Sequence, residues 1–443
     1  MTLTVFIIAV FVVGYLCIAL ESVLEVNKAA IALLMCVGCW TLLMLGVQAF
    51  FPEVPNGAAF VCDRIQHHLG DAGETLFFLM GAMTIVEIVD SNGGFNFVRD
   101  AIKTRSKRKL MWRVAFMTFF LSAILDNLTT SIVMIMVLRK LVQSREERLI
   151  YAGLIIIAAN SGGAFSPIGD VTTIMLWIKG VITTQGVLTE IFIPSLVSMV
   201  IPALILSLSL KGKFDKEQNL KVTEVTTFTK AQRNIIFWLG VGGLVFVPIF
   251  KTLTHLPPFM GILLVLGVLW TVTEVFHRMR RTSEDDTMAK RVSDLLSKID
   301  LSTIMFFLGI LMAVAVLQEI GVLTAMGEGL NEAFAGNYYL INGIIGVLSS
   351  IVDNVPLVAG CMGMYPVSEV AGDAMGVDGI FWQLLAYCAG VGGSMLIIGS
   401  AAGVVVMGLE KISFGWYLKK ITWIAFAGYL AGIGCYWVEK LIY

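Results

Sequence analysis

Apolar residues in this chain come in long unbroken runs and do not alternate with polar ones. Windows of 17–25 residues with almost no charge recur, the length a helix needs to cross roughly 30 Å of hydrocarbon. They predict spans at about 3–20, 28–50, 74–91, 149–178, 188–210, 234–250, 258–276, 303–320, 380–408 and 416–438. A membrane β-barrel would show short alternating segments instead. Two further apolar stretches, 110–142 and 338–366, carry an acid near the middle: Asp126-Asn127 and Asp353-Asn354. Each half of the first is about 16 residues, or roughly 24 Å as helix, which is short for a crossing.

Charge decides how these two stretches run. Arg99, Lys103, Arg105, Lys107, Arg108, Lys109 and Arg113 precede the first, and Arg139, Lys140, Arg145 and Arg148 follow it. Both ends are therefore cytoplasmic under the positive-inside rule. That makes 110–142 a re-entrant hairpin with Asp126-Asn127 at its tip, tolerated at depth only where it is buried in protein or lines water. The resulting topology places 27 of the 31 Lys and Arg residues inside and four (Arg64, Lys179, Lys251, Lys440) outside. Residues 299–410 contain no Lys or Arg, consistent with a second hairpin, 338–366, entering from the outside. Both termini then lie outside. Loops 211–233 and 277–298 are cytoplasmic, the second predicted to be mobile, and 92–109 and 321–337 lie along opposite membrane surfaces.

An internal repeat supports this arrangement. Phe77-Phe78-Leu79 recurs as Phe306-Phe307-Leu308, Asp126-Asn127 as Asp353-Asn354, and Gly162-Gly163 with Gly169 as Gly392-Gly393 with Gly399. The offsets are 229, 227 and 230, and the order is kept. The predicted fold is an all-α polytopic membrane protein of two repeats, 1–220 and 221–443. Each holds five transmembrane spans, one of them broken (149–178 and 380–408), plus one re-entrant hairpin. Five is odd, so the second repeat enters the membrane inverted, the layout associated with alternating access to a midplane site.

Composition narrows the class. Of 443 residues, 57% are apolar and 14% charged, against about a quarter charged in soluble chains. A net charge of −1 implies no nucleic-acid partner. The seven cysteines (Cys17, Cys36, Cys39, Cys62, Cys361, Cys388, Cys435) are scattered through apolar runs and predict packing, not disulfides. Residues 3–20 lack a basic leader and a small-residue cleavage site, so they read as a retained helix. No cofactor is implied.

The chemistry concentrates in the acids at membrane depth, where an ionisable group is a functional candidate by default. Asp126 is a hard oxygen ligand for a small cation when ionised and holds a proton when not. One group that takes either Na+ or H+, never both, couples the two fluxes by competition. Capping the second hairpin arm is the plainer role, and Asn127, Thr129 and Thr130 can share it. Asp353 carries the same argument, with Pro356 in place of the threonine-rich continuation. Asp170 closes the run Ser166-Pro167-Ile168-Gly169-Asp170-Val171-Thr172-Thr173, where Pro167 between glycines breaks the helix. With Thr172 and Thr173 it reads as a ligand group or a cap, and its repeat counterpart is Ser400. Asn160, Ser161, Ser394 and Ser400 are neutral oxygen donors or helix–helix ties. Glu87 lies within a span, whereas Glu74, Asp90, Glu190, Glu274, Glu319 and Glu410 read as interfacial. His67 and His68 read as residues of a solvated outer loop.

DNLTTSIVMIMVLRKL and GGAFSPIGDVTTIMLW closely resemble the NhaD-type sodium/proton antiporters of the ion transporter superfamily, which also holds dicarboxylate and arsenite carriers. VDNVPLVAG and GVGGSMLIIGSAAGVVVMG extend the resemblance over most of the chain. It implies exchange of Na+ or Li+ for H+ across a bacterial inner membrane. Functional polar residues then match Asp126, Asn127, Thr129, Asn160, Asp170, Thr172 and Thr173 in the first half, and Ser349, Asp353, Asn354, Ser394 and Ser400 in the second. The Na+ positions fall at Asp126, Asp170 and Asp353. A homodimer, with hairpins and broken helices moving against a scaffold, is implied by the same analogy.

The chief rival is a Na+-coupled carrier of a dicarboxylate-type anion. Acids at both hairpin tips and at Asp170 repel an anion, and the predicted topology puts no Lys or Arg at midplane depth to receive one. An intramembrane hydrolase using paired carboxylates leaves the repeat and the neighbouring Asn, Thr and Gly residues unexplained. The chain therefore reads as a transporter and not an enzyme.

Overall fold

The computed structural model describes residues 2–95, 98, 101–210, 212–214, 228–280, 295–297, 299–370 and 372–442. Most of the two expected cytoplasmic loops, 211–233 and 277–298, and Arg99 of the basic run lie outside these residues.

Among the described residues every regular element is a helix. In chain order the longer ones are α1 (Thr2–Ala19), α2 (Lys28–Leu45), α3 (Gly57–Ser91), α4 (Lys107–Leu125), α5 (Asn127–Leu141) and α6 (Arg145–Ala164). There follow α7 (Val171–Lys179), α8 (Phe192–Ser209), α9 (Lys230–Thr254), α10 (Pro258–Arg280) and α11 (Leu301–Glu319). The last are α12 (Val322–Ala333), α13 (Tyr338–Ser349), α14 (Asn354–Met364), α15 (Ile380–Gly392), α16 (Ala401–Glu410) and α17 (Thr422–Ile442). Six of them (α2, α3, α8, α9, α10 and α11) are long and apolar enough to cross a bilayer, and α17 with the bent helix Phe414–Lys420 before it makes a seventh. The protein is a multi-pass helical membrane protein.

One expectation fails at α3. The helix begins at Gly57, capped by the Asn56 side chain, which accepts from Ala59 N, and not near residue 74. His67 and His68 therefore sit on a helix and not in a loop. Arg64 and His68 in this added stretch have a tertiary partner. Arg64 Nη2 lies 2.6 Å and His68 Nε2 2.8 Å from Glu319 Oε1 at the end of α11. Glu319 and His68 are both largely buried there, so neither is the interfacial or solvated group the sequence suggested.

The helices pack in two groups. In one, α1 packs on α2, α2 on α11, α11 on α3, α3 on α10 and α10 on α9. In the other, α4 packs on α6, α6 on α8, α8 on α17 and α13 on α15, with α6 and α15 in direct contact. Two further contacts join the halves of the chain: α5 lies against α16, and α7 against α14. Close approach depends on two glycines. A Cβ on Gly162 of α6 would strike the carbonyl of Phe119 on α4, and one on Gly392 of α15 would strike that of Gly346 on α13. Each pair is tied again nearby: Ser122 Oγ donates to Ala159 O at 2.6 Å, and Ser349 Oγ to Ala389 O at 2.8 Å.

Candidate functional site

Four helix N-termini converge where these pairs meet, because four breaks in the chain fall together. At the first, a single residue separates α4 from α5. Asp126 turns the chain with φ 99° and ψ 161°, a backbone region essentially reserved for glycine that costs on the order of 1–3 kcal/mol in other residues. Its carboxylate caps α5, accepting from Thr129 N at 2.7 Å and Thr129 Oγ1 at 2.9 Å. Asp353 does the same for α14 from an ordinary backbone (φ −50°), accepting from Val355 N at 3.3 Å. Asp170 caps α7 through Thr172 N at 3.4 Å, and Ser400 caps α16 through Gly403 N at 3.2 Å. Three of the four N-termini are thus closed by an aspartate of the chain itself.

Asparagines join the breaks to one another. Asn160 on α6 accepts from Asn127 Nδ2 at 3.0 Å, and its own Nδ2 donates to Ser394 Oγ at 3.0 Å and Ser400 Oγ at 2.9 Å. On the other side, Asn354 Nδ2 donates to Asp170 Oδ2 at 3.1 Å. Asn160, Asp170, Ser394 and Ser400 are buried, and Asn127 and Asn354 nearly so. Asp126 and Asp353 are only partly covered. Asp170 lies within electrostatic reach of both.

The hydroxyls divide into two kinds. Thr129 and Thr173 are engaged, Thr129 with the Asp126 carboxylate and Thr173 Oγ1 with Asp170 O at 2.8 Å. Thr172 and Thr130 are buried, and among the described residues their Oγ1 atoms have no partner. A buried hydroxyl without a partner is rare enough to require an explanation. Thr130 was read from the sequence only as a cap, although it directly follows Thr129. The Ser349 hydroxyl ties α13 to α15, as Ser122 ties α4 to α6. Ser161 likewise is tied to Ser198 Oγ of α8 at 2.9 Å.

One charged neighbour was not foreseen. Lys28 Nζ, at the first turn of α2, lies 3.1 Å from Asp353 Oδ2. The sequence gives no sign that a lysine reaches Asp353. Nothing local in the sequence signals a contact 325 residues long. Glu410 was also misjudged: it is buried at the end of α16 between Arg139 Nε at 2.6 Å and Arg148 Nε at 2.7 Å. These arginines hold the far ends of α5 and α6 to α16. The seven cysteines are free, as expected.

Over most of its length the chain is similar to known transporters. The family model described as citrate transporter (CitMHS) matches residues 15–382. The chain is 47% identical to sodium/proton antiporter 1 of Arabidopsis thaliana over 426 residues, covering 96% of this chain and 71% of the relative. It is 42% identical to sodium/proton antiporter 2 of the same plant over 428 residues (96% and 97%). To the Na(+)/H(+) antiporter NhaD of Alkalimonas amylolytica it is 31% identical over 453 residues (96% and 88%).

Proposed function

The chain belongs to the NhaD-type sodium/proton antiporters within the citrate transporter family, and from that premise we propose that it exchanges Na+ or Li+ for H+ at the cluster where the four helix breaks meet. The observation that carries this reading is Asp170: buried, 1% exposed, and held among the described residues by neutral donors. An ionised carboxylate in such a place carries a desolvation cost of several kcal/mol unless a positive charge joins it. Either a proton or a small cation removes that cost, and one excludes the other. The free oxygens of Thr130 and Thr172 and the oxygens of the Asn160–Ser394–Ser400 network are the ligands this reading assigns to a dehydrated cation. Asp126 is the second exchanging group and Asp353 the third Na+ contact, while Asn127, Thr129, Thr173 and Asn354 orient them.

Alternation of access follows from the inverted repeats proposed for 1–220 and 221–443. Two features support them: the packing pairs exchange under the repeat offset, α5–α16 with α7–α14 and α4–α6 with α13–α15, and Asp126 matches Asp353 as Asp170 matches Ser400. The hairpins α4–α5 and α13–α14 and the broken helices α6–α7 and α15–α16 form the moving body, and the group of α1–α3 and α9–α11 the scaffold, in each copy of a homodimer. The reading needs an ion-tight membrane carrying a proton gradient. We place the protein in a bacterial inner membrane with both termini outside, although plant relatives match as well.

The description of the family raises the alternative of a carboxylate-bearing anion such as citrate. Helix N-termini attract anions, but here three of the four are closed by the chain's own aspartates, and the lysine within reach is already paired. A test separates the two readings. Proteoliposomes with an acid interior and an internal pH dye receive NaCl, LiCl, KCl, sodium succinate or sodium citrate. Alkalinisation with Na+ or Li+ that is independent of the anion supports exchange. Na+-dependent uptake of labelled citrate or succinate, with no response to NaCl, overturns it.

A further inference from the structure

The two hairpin tips match in sequence but not in charge. Asp126 has no ion pair among the described residues, whereas Asp353 has Lys28 at 3.1 Å. Lys28 is fixed from several sides. Its backbone N–H donates to Glu21 Oε1 at 3.0 Å, and Asn27 caps α2 through Ala29 N while accepting from Ser302 Oγ of α11 at 3.0 Å. Its ammonium also lies 4.3 Å from the ring centroid of Phe306, a buried residue of α11. A cation over an aromatic face is held without being neutralised. The base therefore belongs to the scaffold group, α2 and α11, and the acid to a hairpin tip. Among the described residues nothing equivalent stands at the other tip. The repeat offset of 229 takes Lys28 to Pro257 and Phe306 to Phe77, and Phe77 is 55% exposed.

From this asymmetry we propose that Lys28 is a tethered counter-cation: it occupies Asp353 when no Na+ does, and an arriving Na+ must displace it. The proposal rests on the reading of Asp353 as a Na+ contact. It deepens that reading in two ways. First, Asp353 is never left unpaired when the site empties, so it needs no proton, and the proton-exchanging acids reduce to Asp126 and Asp170. Secondly, Na+ binding breaks a contact between the scaffold and a hairpin, so the Na+-loaded and proton-loaded carriers differ in whether that contact is made. Na+ and the Lys28 side chain thus compete for one carboxylate. Both partners of the pair are partly exposed, 24% and 15%, which limits its strength to that of a weak to moderate ion pair.

The test measures Na+-driven exchange in proteoliposomes at fixed pH for the wild type, Lys28→Gln, Asp353→Asn and the double variant. Lys28→Gln is expected to lower the apparent KM for Na+ by about three- to fivefold and to lower the maximal rate, because Na+ no longer has a competitor and leaves more slowly. Lys28→Arg, which keeps the charge, is expected to stay within about twofold of the wild type. In the Asp353→Asn background the Lys28→Gln change is expected to leave KM unmoved, because the contested carboxylate is gone. An unchanged or raised KM in Lys28→Gln, with active wild type, overturns the tethered cation and leaves the exchange reading standing. A wild type without any Na+-driven response overturns the exchange reading itself. If Lys28→Gln does not accumulate in the membrane, Phe306→Leu removes the ring and leaves both charges. Its KM is expected to fall in the same direction, and an unchanged value overturns the proposal.

Discussion

Asn354 donates from Nδ2 to Oδ2 of Asp170 across 3.1 Å, so the tip of the second hairpin holds the carboxylate that starts the second piece of the first broken helix. The two residues lie 184 positions apart, one in each half of the chain. The contact makes the proposed site a joint product of both halves.

Asp170→Asn tests that carboxylate directly. The amide oxygen can still cap α7, so the helix start survives while the charge is lost. Exchange is expected to fall by at least about 100-fold, equivalent to roughly 2.7 kcal/mol. The variant should keep its elution volume in detergent and its melting temperature within a few degrees. Residual exchange above a tenth of the wild-type rate would move the coupling acid elsewhere.

Asp126 separates stability from function. Its φ of 99° and ψ of 161° suit glycine, so Asp126→Gly relieves strain that Asp126→Asn retains. Losing the cap to glycine costs only a few tenths of a kcal/mol. Asp126→Gly is therefore expected to melt higher than Asp126→Asn by the equivalent of about 1 kcal/mol, with both inactive. Thermal unfolding in detergent and Na+-driven pH change read the two quantities separately.

Asn160 is the hub between α5, α6 and the break before α16. Replacing it by alanine strands the Asn127 amide and removes the donor to two serines. The loss is expected to be roughly 1–3 kcal/mol of stability, accompanied by weaker Na+ binding. Asn160→Asp is expected to restore part of the hydrogen bonding and to add a third unpaired acid to the cluster, which strengthens cation binding relative to the alanine variant.

Glu410 fastens α16 to α5 and α6 through Arg139 and Arg148. Glu410→Gln removes the charge that both guanidiniums share. A loss of about 1–3 kcal/mol is expected, smaller than for a fully buried triad because Arg139 is 44% exposed. Apparent KM for Na+ should remain within twofold, since the clamp lies at the far end of α16 from the site.

Much of this was legible in the sequence. Uncharged runs located the long helices. The Asp-Asn pairs, and Pro167 between glycines, located the breaks, because both chemistries interrupt the helical ladder whatever surrounds them. Tertiary contacts were the part that local pattern could not carry. The apolar run begins only at residue 74, so His67 and His68 read as loop residues. They continue α3 because Glu319, more than 250 residues away, receives Arg64 and His68. Lys28 and Glu410 were missed for the same reason: each has its partner in a distant helix. Ser349 donates its hydroxyl to Ala389 O of α15, a contact that no local pattern announces.

The central claim is that Na+ and H+ occupy the same carboxylates in turn, and proton release on Na+ binding measures it most directly. Purified protein in detergent, in weakly buffered solution, receives NaCl or choline chloride while pH is followed. Acidification with NaCl is predicted, saturating with Na+, absent with choline and lost in the Asp126→Asn, Asp170→Asn double variant. By linkage, lower pH should weaken Na+ binding by the same coupling that makes Na+ expel protons. Saturable Na+ binding that releases no proton and has the same affinity across the working pH range would contradict the account.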